Sequence, residues 1–137
     1  LSLEEFILGI YSPSLCFVSL QYGDTKDEIV NLKRKHKINI IELEEVDNYN
    51  GIDDLGSLIK ACDHIVAIEN IIPNLAGAIG VDSSVLLVNM SHWRYGETNE
   101  YCYWLPSLKL FRRNLGDTWD KSLTQIKKYL MSKYTKA

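Results

Sequence analysis

The sequence predicts an α/β fold: a doubly wound, Rossmann-like parallel sheet of about five strands with helices on both faces. Three observations predict it. Short, apolar, β-prone runs alternate with segments of helical periodicity from one end of the chain to the other. The runs "CFVSLQY", "INIIEL", "HIVAI" and "SVLLVN" are mostly apolar throughout, as strands covered on both faces are. Helix start and stop signals fall between them: capping boxes, a first-turn proline and a terminal glycine. Parallel βαβ units with right-handed crossovers follow.

Taken in order, "LSLEEFILGIY" opens with Ser2 three residues before Glu5, a capping box, and places Leu3, Phe6, Ile7 and Ile10 at helical spacing. Cys16 to Tyr22 reads as the first strand. Thr25 and Glu28 form a second capping box, ahead of a helix with Ile29, Leu32 and His36 on one face. Ile38 to Leu43 is the next strand, and "EEVDNYNG" is a polar loop. Asp53 or Asp54 is expected to cap a helix whose Leu55, Leu58, Ile59 and Cys62 share a face. "HIVAI" is the third strand; the helix after it carries Pro73 in its first turn and Gly80 at its end. Ser84 to Asn89 is the fourth strand. A long aromatic loop runs from Met90 to Pro106, then "LKLFRR" forms an edge strand, and Trp119, Leu123, Ile126, Leu130 and Tyr134 stripe a final helix.

The 137 residues suit a single domain, 1–137, which at this size buries roughly two thirds of its unfolded surface. A net charge of −3 leaves no electrostatic footprint for nucleic acid, and "KRKHK" sits at a helix end where the macrodipole favours cations. The three cysteines contain no C-x-x-C pair, so neither zinc site nor disulfide framework is expected; Cys16 and Cys62 read as small core residues of a cytoplasmic protein. No apolar run reaches the roughly 18 residues of a membrane span, so no membrane insertion is expected. The chain opens on Leu1, not on Met, and with a helix where a strand belongs, so a piece of something longer is expected.

In an open parallel sheet, ligands collect beyond the carboxyl ends of the strands. That edge offers Gln21, Tyr22 and Gly23, the 44–51 loop, Glu69 to Asn74, and Asn89 to Trp93. Glu69 and Asn70 stand between a buried strand and a helix whose free N–H groups suit an anion or a sugar hydroxyl. The plainer role is local: Asn70 caps the helix and Glu69 accepts backbone N–H bonds. Trp93 beside Arg94 suits stacking on a planar base or sugar face, or sealing the end of the sheet. His36, His64 and His92 are not spaced as a metal set, so no metal is expected, and the usual nucleotide and hydrolase fingerprints are absent.

The stretches "FVSLQYG", "LIKACDHIVAIENIIPNLAGAIG" and "WRYGETNEYCYWLPSLKLFRR" together resemble the carboxyl-terminal part of bacterial tetratricopeptide-repeat-linked GT-B glycosyltransferases, akin to the heptosyltransferases and O-linked N-acetylglucosamine transferase. The resemblance runs from about Leu1 to Leu130. It implies a GT-B carboxyl-terminal domain, and, with the family's opening strand absent, a strand order of 2-1-3-4-5 that places strand 16–22 beside strand 64–68. It implies a nucleoside-diphosphate sugar bound by Gln21, Tyr22, Glu69, Asn70, Asn74, Trp93 and Arg94 without a metal, and it matches Arg112 in "LFR". Glu69, Asn70 and Asn74 depart from the family's Asp, Thr and His. The acceptor-binding amino-terminal domain would be missing and would supply the catalytic base, so no catalytic residue is named.

The leading expectation is therefore the donor-binding half of a glycosyltransferase, inactive as this chain alone. The alternatives are a catalytically degraded interaction module of the same fold and an unrelated flavodoxin-like or receiver-like domain, for which "SLQYGD" offers only Asp24. Apolar surface near Leu1 to Ile10 and around the aromatic loop predicts a homodimer.

Overall fold

The computed structural model describes residues 1–47 and 49–135; Asn48, within the polar loop, lies outside them. Among the described residues five α-helices and five strands follow in the order α1 (Leu3–Ile10), β1 (Phe17–Val18), α2 (Lys26–His36), β2 (Ile40–Ile41), α3 (Ile52–Ala61), β3 (Ile65–Ile68), α4 (Ile71–Ala78), β4 (Ser83–Leu87), β5 (Leu108–Arg112) and α5 (Asp120–Tyr134). The mixed α/β class and the parallel pairing follow the sequence expectation.

The sheet does not. The strands form two parallel sheets, β1-β2 and β3-β4-β5, and no ladder joins β1 to β3. The continuous five-strand order 2-1-3-4-5 is replaced by two blocks that meet through side chains. Phe17 of β1 and Val66 of β3 pack against the same buried cluster of Ile10, Leu86 and Phe111. Leu20, just past β1, packs against the cluster of Ile65 and Ala67. With a partner on one side only, β1 and β2 are two residues each, far shorter than the apolar runs that contain them.

Alternation along the larger sheet sorts its side chains onto two faces. Leu86 and Phe111 face Ile10 of α1 and Leu123, Ile126 and Leu130 of α5. Ile65 and Ala67 face α3 and α4 through Leu55, Ile59, Ile72 and Ala76. Between β4 and β5 no α-helix crosses over. The aromatic loop does that work: Tyr95, Cys102 and Leu105 cover Val85, Leu87, Leu108 and Leu110. The same loop turns back along the outer edge of β5, where Tyr101 bridges Lys109 in antiparallel sense.

The caps show where the residues lead and where they mislead. Ser2 accepts from the Glu5 N–H at 3.1 Å, as its capping box predicts. Thr25 makes no cap bond; Asp24 Oδ1 takes the Lys26 N–H instead, at 3.3 Å. Helix α3 starts two or three residues earlier than expected, with Gly51 at the cap, so Asp53 and Asp54 lie in its first turn, where carboxylates complement the macrodipole. Cys16 is exposed, contrary to its expected place in the core, because it precedes the short strand; Cys62 is half-buried and Cys102 buried. His36 is likewise exposed, its Nε2 within 2.6 Å of Glu4 Oε1, while Ile29 and Leu32 carry the buried face of α2.

Candidate functional site

The expected site residues divide into two groups. Gln21 and Tyr22 follow β1 and line an open cavity of about 390 Å³, together with Lys26, Glu42, Glu44 and Tyr49. Glu69, Asn70, Asn74, Trp93 and Arg94 are not among the residues lining it. The residues expected to share one crevice thus do not all line this cavity.

The first group is shaped by a turn. The Asp47 carboxylate accepts the N–H of Tyr49 and of Asn50 through Oδ1, both at 2.9 Å, and the Asn50 side-chain amide through Oδ2 at 3.1 Å. Those three donors hold its carboxyl below the usual range. The turn stands the Tyr49 ring beside that of Tyr22, centroids 6.1 Å apart and tilted by 50°. Both rings are more than half exposed. Carboxylates at the carboxyl end of a strand and aromatic faces suit a ribose and a base. The sequence places the 44–51 loop at this edge without singling out Asp47 or Tyr49; the signal for them is the spacing of Asp47 two and three residues before the amides it accepts, the signature of an Asx turn.

The second group surrounds the start of α4. Asn70 caps the helix, its Oδ1 accepting the Ile72 N–H at 2.8 Å, and its carbonyl accepts the Asn74 side-chain amide at 2.6 Å. Asn74 Oδ1 in turn accepts Arg94 Nη1 at 3.2 Å and faces the Tyr95 hydroxyl at 3.5 Å. Arg94 Nε donates to His92 Nδ1 at 3.0 Å, and Glu69 Oε1 accepts the His92 N–H at 2.9 Å. Trp93 projects outward, 75% exposed.

Arg112 anchors this arrangement from β5. Its guanidinium donates to Ser91 Oγ at 2.8 Å, the Tyr95 carbonyl at 2.7 Å and the Gly96 carbonyl at 2.8 Å. Burial pushes its pKa down, and the Glu69 carboxylate opposes that. Glu69 and Asn70 therefore do the local work of a loop tie and a helix cap. Asn74, His92 and Arg94 form a polar cluster that presents one fixed guanidinium at the sheet end. Among the described residues no group of His, Cys, Asp and Glu side chains could hold a metal ion, and no helix is long and apolar enough to cross a membrane.

No family model matches the chain, and no solved structure matches it. Protein FlbA of Caulobacter vibrioides is 32% identical over 117 residues, which are 85% of this chain and 19% of FlbA. The chain thus spans about a fifth of the length of that relative. These findings overturn the resemblance to tetratricopeptide-linked GT-B glycosyltransferases: the relative found bears another name, and no family model supports the assignment. The stretches that carried the resemblance have local reasons. A Cβ at Gly77 would stand 2.9 Å from Leu105 side-chain atoms, which demands a small residue in "LAGA". Arg112 in "LFR" is held by three oxygens of the preceding loop.

Proposed function

We propose that the domain binds a nucleoside-diphosphate sugar at the carboxyl ends of its strands, as a donor-binding unit for glycosyl transfer. The observation that carries the reading is the open cavity flanked by the Tyr22 and Tyr49 rings and the carboxylates of Glu42 and Glu44. The rings take the base and the carboxylates accept ribose hydroxyls. Those carboxylates repel phosphate, which goes instead to the Arg94 guanidinium and Asn74 beside α4. This assignment treats the two sheets as one layer, β2-β1 followed by β3-β4-β5, with both groups at one end. The domain supplies no catalytic base; acceptor and base come from elsewhere.

Binding by this chain alone is weak. One guanidinium stands in place of a full phosphate cradle, and each absent charge-assisted bond forfeits about 1.5–3 kcal/mol, or roughly one to two orders of magnitude in affinity. Calorimetric titration with uridine- and guanosine-diphosphate sugars tests the reading. Weak, saturable binding that is reduced in Tyr22→Ala and in Arg94→Ala is the expected result. No heat at any concentration, or a tight complex indifferent to both substitutions, refutes it.

A second reading, an interaction module without transfer, is favoured by the aromatic loop. Trp93, Tyr103 and Trp104 are 75%, 82% and 71% exposed on that segment. Aromatic side chains so presented are typical anchors of protein interfaces, and association into a homodimer is part of this reading. Light scattering over a wide concentration range distinguishes it, a monomer throughout counting against it.

A further inference from the structure

Asn50 and Gly51 form the sole Asn–Gly pair in the sequence. They lie at the turn between β2 and α3, and Asn50 is exposed. Glycine leaves its own amide nitrogen unshielded by a Cβ, so this is the least hindered place in the chain for a backbone nitrogen to reach an asparagine side chain. The structure shows both groups already engaged by Asp47. Gly51 donates its N–H to the Asp47 carbonyl at 2.9 Å, and the Asn50 side-chain amide donates to Asp47 Oδ2 at 3.1 Å. Both the nucleophile and the leaving amide are bound to one residue.

We propose that Asn50 is a spontaneous deamidation site and that Asp47 sets its rate by restraining both reacting groups. The Gly51 nitrogen attacks Asn50 Cγ, forming the N–Cγ bond and breaking Cγ–Nδ2. Its proton leaves with the departing amide as ammonia, giving a succinimide. Water then opens the ring at one of its two carbonyls. Breaking N–Cγ gives aspartate at position 50; breaking the original peptide link gives isoaspartate, joined to Gly51 through its side chain. The net change is one water consumed and one ammonia released, with no oxidant or reductant.

Either product places a new carboxylate beside Asp47 at the cavity. Isoaspartate also adds a carbon to the backbone between Asp47 and Gly51, the cap of α3, and so disturbs the bond from Gly51 to Asp47 that precedes the helix. The aged chain therefore differs from the fresh one in charge at the cavity and in the start of α3. This modification does not depend on what the cavity binds.

The test is incubation of the whole chain at mildly alkaline pH, with peptide mapping of the segment between Lys37 and Lys60 and enzymatic methylation of isoaspartate as readouts. Asn50 should convert ahead of every other asparagine, more slowly in the native protein than in urea, and not at all in Asn50→Gln. Asp47→Ala should convert several-fold faster than the parent, and Asp47→Asn, which keeps an acceptor oxygen, should fall between them. Circular dichroism on each variant separates local release from loss of fold. An Asn50 that stays intact while other asparagines convert overturns the site. A native rate equal to the rate in urea overturns the restraint as a whole, and no acceleration in either Asp47 variant overturns the part the Asp47 side chain plays, the backbone carbonyl that holds Gly51 being kept in both.

Discussion

Glu69 Oε1 accepts the backbone N–H of His92 at 2.9 Å, so the residue that directly follows β3 holds the loop that leaves β4. The bond is charge-assisted and exposed, and the Glu69 carboxylate also lies in the field of Arg112. Glu69→Ala should lower stability by about 1–2 kcal/mol, with Glu69→Gln costing less because its amide oxygen still accepts. Urea unfolding of the two variants checks the order, and faster exchange of the His92 amide should accompany the larger loss. Equal stability of parent and Glu69→Ala would show the tie to be incidental.

Two glycines on helices make opposite predictions. A Cβ at Gly9 would lie 2.6 Å from Leu123 Cδ1 and 2.7 Å from Leu123 Cβ, where α1 crosses α5. Gly9→Ala should therefore cost about 1–3 kcal/mol through overpacking. A Cβ at Gly56 meets nothing within 4 Å on α3. Gly56→Ala should gain about 0.5–1 kcal/mol from helix propensity alone. Thermal melts of the pair would show the contrast directly.

His64, just before β3, is held between β4 and α5, its Nε2 2.9 Å from Ser84 Oγ and its Nδ1 3.1 Å from the Tyr134 hydroxyl. Burial first, and then the Lys133 ammonium, push its pKa down from 6.5 to about 4, with Asp82 opposing. The unfolded chain binds this proton at a higher pH than the folded one does. Stability is therefore complete above pH 6.5 and falls as the pH drops toward 4, after which this group adds no further loss. The loss over that window is on the order of 3 kcal/mol. Urea midpoints between pH 7 and 4 should show a slope that His64→Gln flattens, because glutamine does not titrate.

Lys37 ends α2 in the left-handed region, φ 58°, with its N–H donated to the Lys33 carbonyl. A side chain is strained there and glycine is not, so Lys37→Gly should raise stability by about 1 kcal/mol. A fall in the urea midpoint would contradict the cap geometry.

Fold class was legible because periodicity and caps are local properties. Ser2 with Glu5, Pro73 within α4, and the stripe Leu123, Ile126 and Leu130 each act within a few residues of themselves. The break between β1 and β3 was not legible, since "CFVSLQY" and "HIVAI" read alike whether they pair with each other or only touch. The candidate site was legible as a set of strand ends and illegible as a cavity. Glu69 looks the same in sequence whether it meets a ligand or a neighbouring N–H, and the N–H it accepts belongs to His92, twenty-three residues on. The aromatic loop was read as a loop because no helical period runs through it. Its burial of Tyr95 and Cys102 depends on a sheet face that the loop itself cannot encode.

The want of a ladder between β1 and β3 has a dynamic consequence. The bonds joining Phe17 to Ile40 and Val18 to Ile41 can open without breaking any within the larger sheet. Amides of the small sheet and α2 thus form an exchange group of their own, which loses protection through sub-global opening. The amides of β4, flanked by strands on both sides, exchange only when the larger sheet itself opens. Under rising denaturant the chain sheds its first half-sheet before its second, and the residues that line the cavity, Gln21, Tyr22 and Tyr49 among them, leave with the half that goes first.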